Sequence, residues 1–377
     1  MFTPQPKYFG SQQMDISRSN ILNQIVVPKS KYRFKSIIAI GNPIVDISAE
    51  VEKESLEKYH LAWGATVFVD EYNIGFYNDL ESRPRVTYIP GGSIQNTLRV
   101  TSWCLGMQKD LKDQFSITML GAVGNDSYKE KIMNSLKLSG VVPLLQNIPN
   151  LETSRCGVAI YKKERCLLPQ IRASNQLSMD FITQHADEID KNDCILIEGY
   201  FLQERFELCQ KLCQDFSNND KYIILTFSAV FMVQAHREKI QEIANYANMI
   251  VANMDELREF TKSRGDDYKD IFEKAAKSLA QKDRLFVVTN GSKESLVVKF
   301  DYNKGTLDYI IQSFPNVMKI EDIVDLNGAG DAFLGGFLSE YMKGSPLEVC
   351  SRKGNDVASI ILKNVGCTFP KTLDKPI

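Results

Sequence analysis

The sequence predicts a large three-layer α/β/α domain built on a mostly parallel sheet, with a small additional β-sheet. Two observations support this prediction. Short aliphatic runs typical of buried strands alternate along the chain with segments whose apolar residues recur every three or four positions, as in amphipathic helices. The strand-like runs are apolar throughout, which is typical of parallel sheets covered by helices on both faces.

This alternation begins at residue 36 and continues almost to the end of the chain. Buried strands are predicted at 36–41, 116–121, 194–197, 222–227, 249–252 and 285–289. Amphipathic helices are predicted at 126–138, 202–217, 231–246 and 269–282, and an apolar helix at 332–342. Folds of this kind bind ligands beyond the carboxyl ends of their parallel strands, so the segments that follow the strands are the first candidates for a functional site.

Three segments depart from the alternation. Residues 47–51 with 67–70, 86–90 and 155–172 resemble short strands in which apolar and polar residues alternate, most clearly over 155–161. We interpret them as a small sheet inserted into the larger domain as a lid, with lid segments at about 47–70, 86–90 and 155–172. The domain as a whole is predicted to extend over 36–377.

The first 35 residues form a separate basic extension. They contain one acidic residue, Asp15, against the basic residues Lys7, Arg18, Lys29, Lys31, Arg33 and Lys35. This composition weakly resembles a mitochondrial transit peptide. An extension of this kind more often packs on its own domain or on a partner chain, so residues 1–35 are a candidate binding segment for a protein partner.

The composition excludes several classes of partner. A formal net charge of −2 provides no general attraction to nucleic acid or to an anionic membrane. No run of about 18 apolar residues occurs, so no membrane span is predicted. The eight cysteines are scattered and show no zinc-binding spacing, which is typical of a reducing compartment. We therefore expect a cytoplasmic protein, with a mitochondrial location or a place in a large intracellular assembly as alternatives.

The most informative motif is DLNGAGDAFLGGF at 325–337. Gly328, Ala329 and Gly330 stand immediately before the predicted helix, where small residues let a ligand approach the backbone and the helix start presents free N–H groups. Phosphoryl transfer needs such a place because negative charge spreads over the transferred group. Asp331, in the first turn, could accept the proton of an attacking hydroxyl. The simpler alternative is a Gly-rich turn with an aspartate that caps a helix.

Several separated motifs, in the same order, resemble those of the PfkB, or ribokinase-like, sugar and nucleoside kinases. The motif at 328–331 resembles the second signature of this family. The segments GNPIVDIS at 41–48, GGSIQN at 91–96, NMDE at 253–256 and GCTFP at 366–370 resemble its opening turn, its Gly-Gly substrate motif, its Asn-x-x-Glu motif and its C-terminal end. The likeness is strongest to the adenosine kinases of the family. It implies a ribokinase-like fold and ATP-dependent phosphorylation of the 5′-hydroxyl of adenosine to AMP, a purine-salvage reaction.

The resemblance also implies a role for each matching residue. Asp331 would be the general base, and the backbone amides of Gly328, Ala329 and Gly330 would form the anion hole. The nucleoside would be bound by Asn42, Asp46, Gly92, Ser93, Asn96 and Phe201, with Asp46 accepting from the ribose 2′- and 3′-hydroxyls and Phe201 facing the base. Arg165, Thr289 and Gly291 would contact ATP, and Asn253 and Glu256 would hold Mg²⁺ through water.

Five of these positions have structural interpretations as well. Arg165 also suits a solvated charge of the lid. Asp46 also suits a turn, and Ser93 the start of a helix. Asn253 and Glu256 also suit a helix cap and its partner.

Five positions depart from the family pattern. They are Thr66 in place of a glutamine near the adenine, Pro169 within a lid strand, Thr226 in place of an asparagine near the phosphates, Leu326 in place of a threonine, and Asn355 in place of a histidine beside the ATP adenine. None removes the base, the anion hole or the diol-binding aspartate. The departures therefore predict changed affinity or specificity more than lost catalysis.

Three functions stay open on the sequence. The first is an active Mg²⁺- and ATP-dependent adenosine kinase. The second is a kinase of the same fold that acts on another nucleoside or on a sugar, for which Thr66 leaves room. The third is a kinase-like subunit with a structural or regulatory role in a larger assembly, which the basic extension and the departures favour.

Overall fold

Strand β1 (Ser36–Ile40) shows why the chain forms three layers. Ile37 and Ala39 point into one apolar cluster, while Ile38 and Ile40 point into another, and all four side chains are fully buried. A strand that buries both faces must be covered on both, as its continuous aliphatic sequence predicts. The two clusters are the cores between the central sheet and its two helical layers.

The computed structural model describes residues 33–62, 64–106, 114–161, 164–312 and 320–369. In the described residues, the large sheet contains β1, β4 (Ser116–Val123), β5 (Val142–Asn147), β8 (Cys194–Glu198), β9 (Tyr222–Thr226), β10 (Met249–Asn253), β11 (Arg284–Thr289), β12 (Ser295–Asp301) and β13 (Thr306–Gln312). The small sheet contains β2 (Ile44–Glu50), β3 (Thr87–Gly91), β6 (Arg155–Tyr161) and β7 (Glu164–Gln170).

The helices are α1 (Lys53–Lys58), α2 (Phe76–Glu81), α3 (Ser93–Leu105), α4 (Ser127–Leu138), α5 (Met179–Gln184), α6 (Ala186–Asp190), α7 (Phe206–Asn218), α8 (Val230–Tyr246), α9 (Met254–Thr261), α10 (Tyr268–Lys277), α11 (Ala329–Lys343) and α12 (Leu347–Ile361). Short 3₁₀ helices lie at Ala173–Gln176, Gly199–Gln203 and Ile320–Asp322. None of the helices that the structure describes is long and apolar enough to cross a membrane.

The large sheet has the strand order β13-β12-β11-β10-β9-β8-β1-β4-β5. Strands β1, β4, β5, β8, β9, β10 and β11 run parallel, and β12 and β13 add an antiparallel edge. The chain leaves β1 toward β4 on one side and returns to β8 on the other, so the strand order reverses at β1. Ligands bind at such a reversal in open α/β sheets. The predicted fold class is confirmed.

The small sheet, ordered β3-β2-β6-β7, differs in two details from the prediction. Residues 67–70 are not a strand; they follow an isolated bridge between Thr66 and Leu167 and run beside β7. Pro169 does not interrupt β7, because β7 is the edge strand and its outer side needs no backbone donor.

The basic extension reaches the domain at the amino-terminal edge of the large sheet. Its residues 1–32 lie outside the described residues, as does Pro370. Phe34 packs against Tyr222 and Tyr341, and the Arg33 guanidinium lies 3.9 Å from the centre of the Tyr341 ring. A cavity of about 490 Å³ lies beside these residues, at the opposite edge of the sheet from the motif that precedes α11.

Candidate active site

Polar side chains stand at the carboxyl ends of neighbouring strands. Glu198 ends β8 and pairs in register with Thr226, which ends β9. Asn253 ends β10 and pairs with Thr289, which ends β11. Because parallel strands present their carboxyl ends at one edge, these residues form a polar row along the edge where α/β folds bind ligands.

A cavity of about 430 Å³ opens beside this row, between the large and the small sheet. Asn42, Asp46, Gly92 and Ser93, predicted to bind the nucleoside, all line it. Its other walls come from Thr66, Phe68, Cys156, Leu167, Glu198, Tyr200 and Phe231, among others. A cavity of this size, mostly apolar with a few convergent polar groups, is typical of a small-molecule site.

Asp331 is held by two side chains of helix α3. The Ser93 hydroxyl donates to Asp331 Oδ1 at 2.7 Å, and Asn96 Nδ2 donates to Oδ2 at 3.0 Å. Burial raises the pKa of Asp331, while these two hydrogen bonds lower it. The carboxylate is thus fixed in orientation, and its basicity is set by opposing effects, as suits a general base.

Ser93 therefore has a second role besides lining the cavity. The family resemblance implies that Ser93 binds the nucleoside, whereas its hydroxyl points to Asp331. We predict that Ser93→Ala lowers kcat about tenfold, because a hydrogen bond to a charged group is worth about 1.5–3 kcal/mol.

The same substitution removes an interaction that lowers the pKa of Asp331, so the acid limb of the kcat–pH profile should move to higher pH. Ser127→Ala, which changes an exposed serine at the first position of α4, provides the matched control. An unchanged acid limb in Ser93→Ala would show that Ser93 does not tune the base.

The amide groups predicted to form the anion hole lie at the start of α11. Gly328 caps this helix with φ of 77°, and a Cβ at this position would lie 2.9 Å from Cys367 Cβ. Glycine is therefore required here by both conformation and space. At Gly330 a Cβ would meet no atom outside the helix backbone within 4 Å, so the first turn is open to a ligand. The Ala329 N–H donates to the Leu326 carbonyl at 3.4 Å, and the N–H groups that follow it in the first turn have no helical acceptors.

Asp46 lies on β2 of the small sheet, opposite Ile89 of β3 and Cys156 of β6. A Cβ on Gly91 would lie 2.4 Å from its carboxylate, so the Gly-Gly motif makes room for this side chain. Burial raises the pKa of Asp46 to about 7, although Arg165 lowers it. Asp46 lines the cavity from the small sheet, and Asp331, in the first turn of α11, is bonded by Ser93, which lines the same cavity.

Two buried side-chain amide oxygens near the cavity have no hydrogen-bond donor among the described residues. Asn42 Oδ1 and Asn96 Oδ1 have no hydrogen-bond partner in the part of the chain that the structure describes. Unsatisfied buried acceptors cost free energy unless a ligand or water pairs with them. Gly92 contacts both residues: a Cβ there would lie 2.4 Å from the Asn42 carbonyl oxygen, and its own carbonyl oxygen accepts from the Asn96 backbone N–H at 2.9 Å.

Glu198 is a site residue that sequence reasoning missed. Its Oε2 accepts from the Asn42 backbone N–H at 2.8 Å, and the Ile94 backbone N–H also bonds its carboxylate. It thereby joins the turn after β1 to the start of α3, the two segments that carry the nucleoside motifs. Burial raises its pKa to about 8. The signal available in the sequence was an acidic residue at the end of an otherwise apolar strand.

We predict that Glu198→Ala raises KM for adenosine about tenfold. The substitution leaves two buried N–H groups without an acceptor, at about 1–3 kcal/mol each, and loosens both segments. Glu198→Gln keeps a carbonyl acceptor and should have a smaller effect. Steady-state kinetics with thermal midpoints tests this: unchanged KM in a folded Glu198→Ala protein would refute it.

Phe201 does not have its predicted position. It is 1% exposed and packs in the apolar cluster that contains Ile38 and Ile40, and it does not line the cavity. Residues 199–203 form a 3₁₀ helix, in which neighbouring side chains diverge, and the ring that lines the cavity is Tyr200. Tyr200 is therefore the aromatic candidate to face a base.

Arg165 and Asp325 link the small sheet to the loop before α11. Arg165 forms an ion pair with Asp325 at 2.9 Å, and Asp325 also accepts from the backbone N–H groups of Asn327 and Gly366. Arg165 thus lies at the loop before α11, where its predicted contact with phosphate would be made. In this structure its partner is a carboxylate.

Asn253 and Glu256 form a complete capping box at the start of α9. Asn253 Oδ1 accepts from the Glu256 backbone at 2.8 Å, and Glu256 Oε2 accepts from the Asn253 backbone at 3.0 Å. The structural interpretation of this motif is thus present, and burial raises the pKa of Glu256 to about 7.

The same residues remain compatible with a water-mediated ion. Among the described residues no cluster of three or more histidines, cysteines or acids could ligate a metal directly. Mg²⁺ prefers to keep several waters and to bind substrate phosphates, so this donor set fits Mg²⁺ held through water. Thr289 ends the neighbouring strand, and Gly291 follows in an exposed turn with φ of 59°.

Two of the five departures from the family pattern line the cavity, and the other three do not. Asn355 is buried and donates to Ser295 Oγ, so it supports packing of α12 on β12. The Leu326 side chain is 71% exposed. The Thr226 hydroxyl bonds the Ser228 hydroxyl at the end of β9, and Thr66 lines the cavity. Of the five, therefore, Thr66 and Pro169 bear directly on the cavity.

Comparison with known proteins places this geometry in context. Residues 58–374 match the family model described as pfkB family carbohydrate kinase. The chain is 30% identical over 346 residues to the adenosine kinase of Dictyostelium discoideum, covering 90% of this chain and 98% of that protein. It is 28% identical over 343 residues to the adenosine kinase of Saccharomyces cerevisiae, covering 89% and 96%.

A solved structure of an adenosine kinase is also similar to this chain. The structure of Trypanosoma brucei brucei adenosine kinase in its apo form has a TM-score of 0.78 and 28% identity, covering 88% of this chain and 99% of that chain. Similarity thus extends through both the large and the small sheet.

Proposed function

The chain belongs to the pfkB family of carbohydrate kinases, and we propose that it is an adenosine kinase, which transfers the γ-phosphate of ATP to the 5′-hydroxyl of adenosine. The family membership predicted from the motifs is thereby confirmed. The observation that supports the proposal most strongly is the position of Asp331. Ser93 and Asn96 orient this carboxylate at the open start of α11, and Ser93 lines a cavity that also contains Asp46, a carboxylate that suits a diol.

Adenosine would lie between the two sheets. Asp46 would accept hydrogen bonds from the 2′- and 3′-hydroxyls, and the unsatisfied amide oxygens of Asn42 and Asn96 would accept from nearby donors. The base would extend toward Tyr200. This orientation brings the 5′-hydroxyl toward Asp331.

The chemical step is an in-line displacement at phosphorus. The 5′-oxygen forms a bond to the γ-phosphorus, the bond from that phosphorus to the β–γ bridging oxygen breaks, and ADP leaves. Asp331 accepts the hydroxyl proton, and the N–H groups at Gly328, Ala329 and Gly330 hold the negative oxygens of the transferred group. Arg165 would exchange Asp325 for phosphate, since guanidinium binds both in the same manner.

Asn253 and Glu256 are the residues that would hold Mg²⁺ through water near the phosphates. When bound, the ion would neutralise negative charge on the phosphate oxygens. Thr289 and Gly291, at the adjacent strand end, would contact ATP.

The two alternative functions have less support. A purely structural subunit does not require an oriented aspartate beside unsatisfied acceptors, and the relatives that match most of the chain are named adenosine kinases. A different nucleoside or sugar acceptor would use the same base, and Thr66 is the cavity residue most relevant to that choice.

A panel of acceptors tests the proposal. Purified protein is incubated with ATP and Mg²⁺ and with adenosine, inosine, cytidine, ribose or fructose, and ADP release is measured. We expect the highest kcat/KM with adenosine. Turnover with a sugar alone would support the second function, and binding of adenosine without turnover the third.

We also propose a cytoplasmic location and a protein partner for the basic extension. All eight cysteines are free, which agrees with a reducing, cytoplasmic environment. A protein partner would bind through residues 1–35, whose described part, 33–35, lies at the opposite edge of the sheet from Asp331. Such a partner could bind without covering the cavity.

A further inference from the structure

The turn at 290–294 joins β11 to β12, and we call it the donor turn because its Gly291 is a predicted ATP contact. Thr289, which precedes it, pairs in register with Asn253, so the turn lies beside the predicted Mg²⁺ residues. Residues 291–293 are exposed. At Gly291 a Cβ would meet no atom within 4 Å, so a ligand can reach the backbone at the tip of the donor turn.

The shape of the donor turn depends on contacts that order its backbone. Within the turn, the Lys293 backbone N–H donates to the Asn290 carbonyl oxygen at 3.0 Å. Because glycine has more backbone freedom than any other residue, ordering a turn around Gly291 when a ligand binds costs conformational entropy. A contact that orders the donor turn in advance removes this cost and so raises the affinity for the ligand.

The Tyr268 hydroxyl makes a contact of this kind. It donates to the Glu294 carboxylate, and it accepts from Asn290 Nδ2 at 3.0 Å. Asn290 and Glu294 are the first and last residues of the donor turn, so one hydroxyl bridges its two ends. The hydrogen bond from Tyr268 lowers the pKa of Glu294, and a charged acceptor forms a stronger hydrogen bond than a neutral one.

Tyr268 is itself held on a well-packed helix. It is the first residue of α10, whose N-cap residue Asp267 accepts from the Lys269 backbone N–H at 2.9 Å. Phe272 of this helix is fully buried and meets Phe286 of β11, with ring centres 5.7 Å apart. The helix that carries Tyr268 therefore packs on the strand that leads into the donor turn. Tyr268 does not line the nucleoside cavity.

We propose that Tyr268 is a positioning residue for the phosphate donor: by bridging the donor turn, it raises the affinity for ATP and leaves the affinity for adenosine unchanged. This inference rests on the proposed function, in which Thr289 and Gly291 contact ATP. Tyr268 acts through the backbone of the turn and touches neither substrate. The transfer to the 5′-oxygen is unchanged.

Tyr268→Phe tests the proposal because it removes the hydroxyl and keeps the ring. The measured quantities are kcat and the KM values for ATP and for adenosine, each with the other substrate saturating. Tyr302→Phe is the matched control, because Tyr302 is exposed and follows β12 at the end opposite the donor turn.

We expect the KM for ATP to rise about tenfold in Tyr268→Phe, the scale of two lost hydrogen bonds, while kcat and the KM for adenosine stay within about twofold. All three quantities should stay constant in Tyr302→Phe. A merely structural role of Tyr268 would change both KM values together. Equal rises in the two KM values, or an unchanged KM for ATP, would overturn the proposal.

Calorimetric binding separates this inference from the proposed function. The probe is the β,γ-imido analogue of ATP with Mg²⁺, whose terminal phosphate is not transferred. If adenosine is not phosphorylated, the proposed function fails, and the affinity of the wild type and the two variants for this analogue still tests the role of Tyr268. Weaker binding in Tyr268→Phe alone supports it. Equal affinity in the three proteins, or no binding of the analogue to the wild type, overturns it.

Discussion

Replacing Asp331 by asparagine should lower kcat by about 10²–10⁴-fold while adenosine still binds within a few-fold of its normal affinity. Asparagine preserves the shape of the side chain but cannot accept the proton of the 5′-hydroxyl. Ser93 and Asn96 hold Asp331 beside the cavity without placing it in the cavity wall, so the substitution should leave nucleoside binding largely intact.

The measurement is a pair: steady-state turnover and calorimetric binding of adenosine. Asp322→Asn, which changes an exposed aspartate a few residues before the motif, controls for a general effect of lost negative charge. If Asp331→Asn kept a tenth of the normal rate, Asp331 could not be the general base.

Replacing Asp46 by asparagine should lower kcat/KM for adenosine by about 10²–10⁴-fold. Two hydrogen bonds from hydroxyls to a charged acceptor are worth about 3–6 kcal/mol together, and about 1.4 kcal/mol corresponds to tenfold. The control is a second substrate. Because 2′,3′-dideoxyadenosine lacks both hydroxyl donors, Asp46→Asn should lower its kcat/KM far less than that of adenosine. Equal losses for the two nucleosides would show that Asp46 does not bind the diol.

The raised pKa of Asp46 gives this prediction a pH dependence. Burial raises its pKa to about 7, so the carboxylate form that accepts from the diol is lost as the pH falls below about 7. The kcat/KM for adenosine should therefore decrease as the pH is lowered below about 7, and the decrease should be smaller for 2′,3′-dideoxyadenosine.

The fold followed from local signals that tertiary context did not override. Continuous aliphatic runs such as 194–197 and 249–252 can be buried only between two helical layers, and both became central parallel strands. The motif at 328–331 was informative because Gly328 needs a left-handed conformation that few other residues adopt.

The site was harder to predict because it depends on contacts distant in sequence. Glu198 lies more than 100 residues from both backbone groups that it bonds, and no local pattern predicts such pairings. The family resemblance implies Phe201 as the aromatic contact, whereas the 3₁₀ helix at 199–203 directs Tyr200 to the cavity and Phe201 to the core. No local pattern indicates the role of Asn355, because its buried bond to Ser295 Oγ requires the packing of α12 on β12.

The identity of the phosphorylated product tests the central claim most directly. Purified protein, ATP labelled in the γ-phosphate and adenosine are incubated with Mg²⁺, and the products are separated and assigned by phosphorus NMR and mass spectrometry. The account predicts 5′-AMP that carries the label, one molecule for each ADP formed, and none with Asp331→Asn. Label released only as free phosphate, or ATP left unchanged while adenosine binds, would contradict it.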